Sequence, residues 1–219
     1  MRLFYVPVAL VCLTTAMFAQ HAAPAMDSPG PDAALKMLLD GNKRYVASRL
    51  THPHQDKARR DEVAKGQHPF AAVLSCADSR VPPEVLFDEG LGDLFTVRVA
   101  GTVATDDVVA SLEYAVAHLG PKLIVVLGHE RCGAVDATMK GGVPEGHLAT
   151  LVDRIKPATD AVKGKPGDAL ELAIRQNVLN VVKQLQTSQP IPGKAVASGA
   201  IKVVGARYDL DTGAIELLK

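Results

Sequence analysis

Two short runs of this 219-residue chain carry side chains able to do metal chemistry: Cys76-Ala77-Asp78-Ser79-Arg80 and His129-Glu130-Arg131-Cys132. Two thiols and an imidazole are the soft donor set that zinc prefers. Three protein ligands leave the fourth tetrahedral position open for water, as in catalytic rather than structural sites. Asp78 and Arg80 stand two apart, so in an extended chain they share a side with Cys76. Arg80 would keep Asp78 ionised, and Asp78 could accept the hydrogen bond of a zinc-bound hydroxide. Released from Arg80, Asp78 would itself become a metal ligand, displacing the water and switching the site off. The plain alternative for the pair is a surface ion pair worth roughly 0 to 1 kcal/mol. For Cys76 and Cys132 the alternatives are a disulfide, in a chain that reads as exported, or two buried core thiols.

The elements that must position these groups are apolar runs. Phe70 to Ser75 enters Cys76, and Leu123 to Leu127 enters Gly128-His129; both have the length and β-branched content of buried strands. Each ligand run thus lies just past the carboxyl end of a predicted strand, the edge where open α/β sheets collect ligands. Cys132 to Ala137 reads as a first turn of helix, and the spacing predicts His129 and Cys132 on one side of it. The dipole there favours a thiolate at Cys132. Gly128 to Gly133 has the outer glycines of a dinucleotide fingerprint, but Glu130 fills the middle position. The P-loop pattern fails at Ala134 and Val135.

Cys-Ala-Asp-Ser-Arg followed at a distance by Gly-His-x-x-Cys-Gly resembles the β-class carbonic anhydrases, zinc enzymes that interconvert carbon dioxide and bicarbonate. The resemblance extends through Gly41-Asn42-Lys43-Arg44-Tyr45, Gln67-His68-Pro69, Leu94 to Gly101, Gln176-Asn177-Val178 and Gly205 to Gly213, covering roughly residues 33 to 217. It implies one zinc per chain on Cys76, His129 and Cys132, with Asp78 as an occasional further ligand and Asp78 and Arg80 as the catalytic pair. It further implies a substrate pocket drawing on Gln67, Phe95 and Gly133, and reversible hydration of carbon dioxide by attack of zinc-bound hydroxide. A homodimer or dimer of dimers with the active site near the interface is implied as well. Family members often carry Asn at the positions of Val99 and Thr102. The chain has no Trp, so a regulatory bicarbonate site built on Trp is unsupported. The same scaffold also supports hydrolysis of carbon disulfide or carbonyl sulfide. A non-catalytic zinc or redox module is a third reading, opposed by the separation of Cys76 and Cys132, which are 56 residues apart, since redox pairs favour Cys-x-x-Cys spacing.

Arg2 before the apolar run Leu3 to Ala19, with small residues and Pro24 after it, predicts a signal peptide over 1–19 and export to a bacterial periplasm. A flexible linker is expected over 20–31 and a single catalytic domain over 32–219. An uncleaved signal segment is the sole membrane contact the sequence offers. With 24 basic and 24 acidic residues the chain lacks the basic excess that nucleic-acid binding requires. His52 and His54 read as loop residues rather than proton shuttles, and Asp106 and Asp107 as a match to a helix dipole.

Helical spacing of Leu35, Leu38, Leu39, Asn42, Tyr45 and Val46 predicts an apolar stripe on a first helix. Further helices are expected around Leu148 to Ile155 and Ile174 to Leu185, closed by Pro190 and Pro192 before a strand at Ile201 to Val204. The alternation predicts an α/β fold: a central, mostly parallel sheet of about four strands, plus a short antiparallel edge strand, covered by helices.

Overall fold

The computed structural model describes residues 28–219. The expected signal segment and most of the expected linker therefore lie outside the described residues. Pro31, assigned to the end of that linker, already opens the first helix, where its missing N–H and fixed φ cost nothing.

A five-stranded sheet in the order β2-β1-β3-β4-β5 forms the frame. Strands β1 (Ala71–Ser75), β2 (Leu94–Arg98), β3 (Leu123–His129) and β4 (Lys202–Tyr208) are parallel, and β5 (Ile215–Leu218) runs antiparallel on β4. This is the expected α/β fold with its antiparallel edge strand. The central strands β1 and β3 are buried throughout, which is why their sequences are unbroken apolar runs rather than alternating ones.

Helices cover both faces. On one, Leu123, Val125 and Leu127 pack with Ala34 and Leu38 of α1 (Pro31–Val46) and with Leu86 and Phe87 at the end of the short α3 (Pro83–Leu86); α2 (Lys57–Val63) lies between α1 and β1 in the chain. On the other, Ile124 and Val126 pack with Val108 and Leu112 of α4 (Asp106–Tyr114) and with Val178, Val181 and Leu185 of the long helix Ala169–Thr187. Burying each such aliphatic side chain contributes about 1.5 to 3 kcal/mol. A charge at Val125 would therefore break the core. Between these elements stand α5 (Gly133–Lys140) and α6 (Ala149–Val162); the long helix is α7, and α8 (Pro192–Ala197) precedes β4.

Gly128, one residue before the end of β3, is required by packing. A Cβ there would sit 2.4 Å from Cγ2 of Val178, so only glycine lets α7 lie this close to β3. The stripe on α1 is partly polar in use. Asn42 is buried, and its Nδ2 donates to the carbonyls of Leu86 (3.1 Å) and Gly213 (2.9 Å) while its Oδ1 accepts from the N–H of Ile215 (3.0 Å). One amide thus ties α1 to α3 and to the turn between β4 and β5. Val46 of the same stripe is exposed. Among the described residues no helix is long and apolar enough to cross a membrane.

Candidate metal centre

Adjacent parallel strands end side by side, and β1 and β3 pair with Ser75 opposite Leu127. Cys76 is the first residue beyond β1, His129 the last of β3, and Cys132 the residue that precedes α5. Their donor atoms all lie within 4.8 Å of one another, and all three residues are buried. Both cysteines are free thiols rather than a disulfide.

His129 and Cys132 do not share a helix face, contrary to the sequence expectation. A turn at Glu130-Arg131 intervenes, with Arg131 in the left-handed region (φ 51°), and α5 starts only after Cys132. The reversal brings the thiol back beside the imidazole from which it has just departed. Cys132 does sit at the helix N-terminus, where the N–H groups of Val135 and Ala134 favour its thiolate.

The imidazole is prepared for a cation. His129 Nδ1 lies 2.8 Å from the carbonyl oxygen of Glu130, which can only accept, so Nδ1 carries the proton. Nε2 is then a bare lone pair, and it is buried with no hydrogen-bond partner. A buried polar atom without a partner is costly, and a metal ion is the partner that two thiols and a lone pair fit. The thiols agree. The hydrogen bond shared with Cys132 first, then the neighbouring His129 ring and the backbone of Asp78 and Gly101, hold the Cys76 thiol well below its ordinary range against the opposing effect of burial. That same shared bond, with burial, pushes Cys132 well up. One proton leaves the pair easily and the second does not, and a bound cation would replace both.

Asp78 stands beside this cluster but outside it. Arg80 grips it with Nε to Oδ1 (2.9 Å), Nη2 to Oδ2 (2.7 Å) and its backbone N–H to Oδ1 (3.0 Å). The chain does not stay extended beyond Cys76; a turn at Ser79-Arg80 brings the two together. Arg80 holds the Asp78 carboxyl well below the usual carboxylate range although burial opposes it. Asp78 Oδ2 is 3.8 Å from His129 Nε2.

Residues not singled out as site residues complete the support. Gly101 N–H donates to Cys76 Sγ at 3.3 Å, and its carbonyl accepts from Asn177 Nδ2 at 2.8 Å. Gly101 has φ 76°, and a Cβ there would meet Ile155 Cδ1 at 2.6 Å. Arg98 donates Nε to the carbonyl of Cys76 (3.0 Å) and Nη2 to that of Asp78 (2.6 Å), fixing the segment between them. Arg98 and Gly101 fall inside the Leu94 to Gly101 stretch, but their partners are twenty or more residues away and leave no local signal.

The expected pocket residues divide. Gly133 opens α5 beside Cys132, exposed, with nothing within 4 Å of where a Cβ would stand. Gln67 and Phe95 are elsewhere in the protomer. Gln67 is exposed before β1, at the opposite end of the strand from Cys76. Phe95 pairs with Ala72 near the start of β2, and its ring lies 6.3 Å from that of Tyr114 on α4.

The family described as carbonic anhydrase matches residues 71–215. A carbonic anhydrase of Mycolicibacterium smegmatis is 42% identical over 196 residues, covering 88% of this chain and 95% of that protein. Carbonic anhydrase 2 of Mycobacterium tuberculosis is 40% identical over 192 residues, covering 86% and 93%. Among solved structures, a tetrameric β-carbonic anhydrase of Sordaria macrospora aligns with TM-score 0.67 and 27% identity, over 85% of this chain and 97% of that one. With two thiols and an imidazole converging at the sheet edge, these matches establish that the chain belongs to the β-carbonic anhydrase family, as an enzyme of carbon dioxide hydration.

Proposed function

We propose that the chain holds one zinc ion through Cys76, His129 and Cys132 and uses it for the reversible hydration of carbon dioxide to bicarbonate and a proton. The unpartnered Nε2 of His129, buried between two thiols, carries this reading. Zinc, when bound, supplies Lewis acidity that ionises water near neutral pH, a behaviour best known from carbonic anhydrases with a different ligand set.

The side chains divide the remaining tasks. Asp78 stays ionised because Arg80 occupies both of its oxygens, so it is an acceptor at every working pH. Its Oδ2 is the oxygen nearest the imidazole, placed to accept a proton-bearing group of the reactant and fix its direction. While Arg80 keeps this grip, Asp78 is withheld from the cation; breaking the pair frees it to ligate and close the site. Gly133 leaves room for a small substrate at the mouth.

Gln67 and Phe95 enter the pocket from a second copy of the chain. The support is their position, since neither reaches the cluster within its own protomer, and the tetrameric assembly of a structural neighbour. Dimerisation also gives the free edge of β2 and the exposed Val85, Leu91 and Tyr114 a partner. The apolar run from Leu3 to Ala19 supports export to a periplasm; intact Leu3 on the mature cellular protein, by N-terminal sequencing, would remove the cleavage reading.

Metal analysis of protein purified without added metal, alongside native mass, tests the proposal. One zinc per chain in an even-numbered oligomer is expected. Another metal in its place, or a monomer with full activity, would contradict it.

A further inference from the structure

Three groups of the β4–β5 turn reach across to the turn between His129 and Cys132. Glu130 N–H donates to the carbonyl of Tyr208 (2.9 Å), and the N–H of Leu210 donates to Glu130 Oε2 (3.2 Å). Arg131 pairs with Asp211 at both ends, Nη1 to Oδ2 and Nη2 to Oδ1, each at 2.8 Å. The turn that supplies these groups is rigid in its own right. Asp209 Oδ1 accepts from the N–H groups of Asp211 (3.1 Å) and Thr212 (2.9 Å) and from the Thr212 hydroxyl (2.9 Å), while Arg207 Nη1 holds Asp209 Oδ2 at 2.8 Å.

What the turn grips is Glu130 and the Arg131 side chain, the two residues that flank the carbonyl holding His129. The Glu130 carbonyl fixes the imidazole tautomer and the direction of Nε2. The next residue, Arg131, is a non-glycine residue in the left-handed region, a conformation that costs free energy unless its surroundings impose it. Groups that hold the far nitrogen of a ligating histidine commonly alter metal affinity when lost.

We propose that Glu130 and Asp211 are positioning residues, through which the β4–β5 turn holds the His129–Cys132 reversal in its metal-binding shape. They touch neither the metal nor the substrate, and act through the Glu130 carbonyl and the backbone of Arg131. The proposal rests on the reading of Cys76, His129 and Cys132 as metal ligands. The Glu130, Asp209 and Asp211 carboxylates come within 4.8 Å of one another, but Arg131 and Arg207 neutralise them, so the cluster is a brace and not a cation site.

The test is the rate at which zinc-loaded protein surrenders its metal to an excess of chromophoric chelator, with the visible spectrum of the cobalt(II)-substituted protein as a second readout. Arg131 and Asp211 are about half or more exposed, so Asp211→Ala is expected to speed release roughly three- to fivefold, the upper range for such a pair. Glu130→Ala is expected to speed it roughly tenfold and shift the cobalt bands, with Glu130→Gln recovering most of the loss because an oxygen acceptor remains. Arg131→Gly should lose less than Arg131→Ala, because glycine adopts the left-handed turn without the brace. Wild-type release rates in Asp211→Ala and Glu130→Ala would overturn the positioning role while leaving the metal centre intact. Failure of the wild-type chain to hold any metal would instead overturn the reading of the site beneath it.

Discussion

The two ends of the sheet are finished to different degrees. At the carboxyl end, Cys76, His129 and Cys132 are 4%, 1% and 3% exposed, and each is held by groups of the same protomer. At the amino end Gln67 is exposed, and Phe95 lies on an edge strand with no strand on its outer side among the described residues. Metal binding demands positions held to a fraction of an ångström, and a chain secures those most reliably through its own backbone. Walls that only exclude water can be lent by another copy, and the proposed dimer does this.

The sharpest way to break this contrast is at the finished end. Replacing His129 or Cys132 by Ala should lower metal affinity by more than the ~100-fold that lost supporting groups cost, and abolish hydration with it. Equilibrium competition with a chelator measures the first and stopped-flow assay the second. Asp78→Asn keeps the cluster but removes a full negative acceptor, so metal content should hold while kcat/KM falls about 100-fold. Loss of metal in that variant would make Asp78 a resting ligand.

The unfinished end should respond more weakly and in a different manner. Gln67→Ala removes at most a hydrogen bond to a substrate group, an expected loss of roughly tenfold in kcat/KM without loss of metal. If Gln67 comes from a second copy, mixing inactive Cys132→Ala chains with weakened Gln67→Ala, Cys132-intact chains gives hybrid dimers more active per intact metal site than the Gln67→Ala parent. Hybrids no more active than their parents would place Gln67 outside the site.

The smallest effect concerns Glu89, buried near the amino end beside Asp93 and Asp88, with Arg44 and His54 close by; burial first, then Asp93, raises its carboxyl to about 7. A raised acid binds more protons folded than unfolded, so its contribution is fully present below about pH 4.5 and lost as pH rises through about 7. Glu89→Gln should therefore raise the melting temperature at pH 8 and barely change it at pH 5. An equal shift at both values would show that ionisation is not the cause.

Much of the finished end was legible in the sequence, because buried parallel strands announce themselves as apolar runs and the ligands stand at their ends. The Cys-His-Cys donor set could be read from residue types alone. The shared helix face for His129 and Cys132 was misread because spacing says nothing of a left-handed residue between them, and Arg131 has no glycine to mark it. Helix α8 was hidden by Pro192, which reads as a terminator but is here a first-turn residue. Asn42 counted as part of an apolar stripe because its partners, Leu86, Gly213 and Ile215, lie far along the chain. For the same reason nothing local pointed to Arg131 and Asp211, 80 residues apart.

In the proposed enzyme, zinc on Cys76, His129 and Cys132 is what makes the chain active. The direct measurement is stopped-flow carbon dioxide hydration at pH 8.5 as metal-free protein is titrated with zinc. Activity that climbs linearly and breaks at one zinc per chain, and that stays absent in Cys132→Ala at the same zinc concentrations, is the predicted result. Full activity before any zinc is added, or a Cys132→Ala curve that matches the wild type, would contradict it.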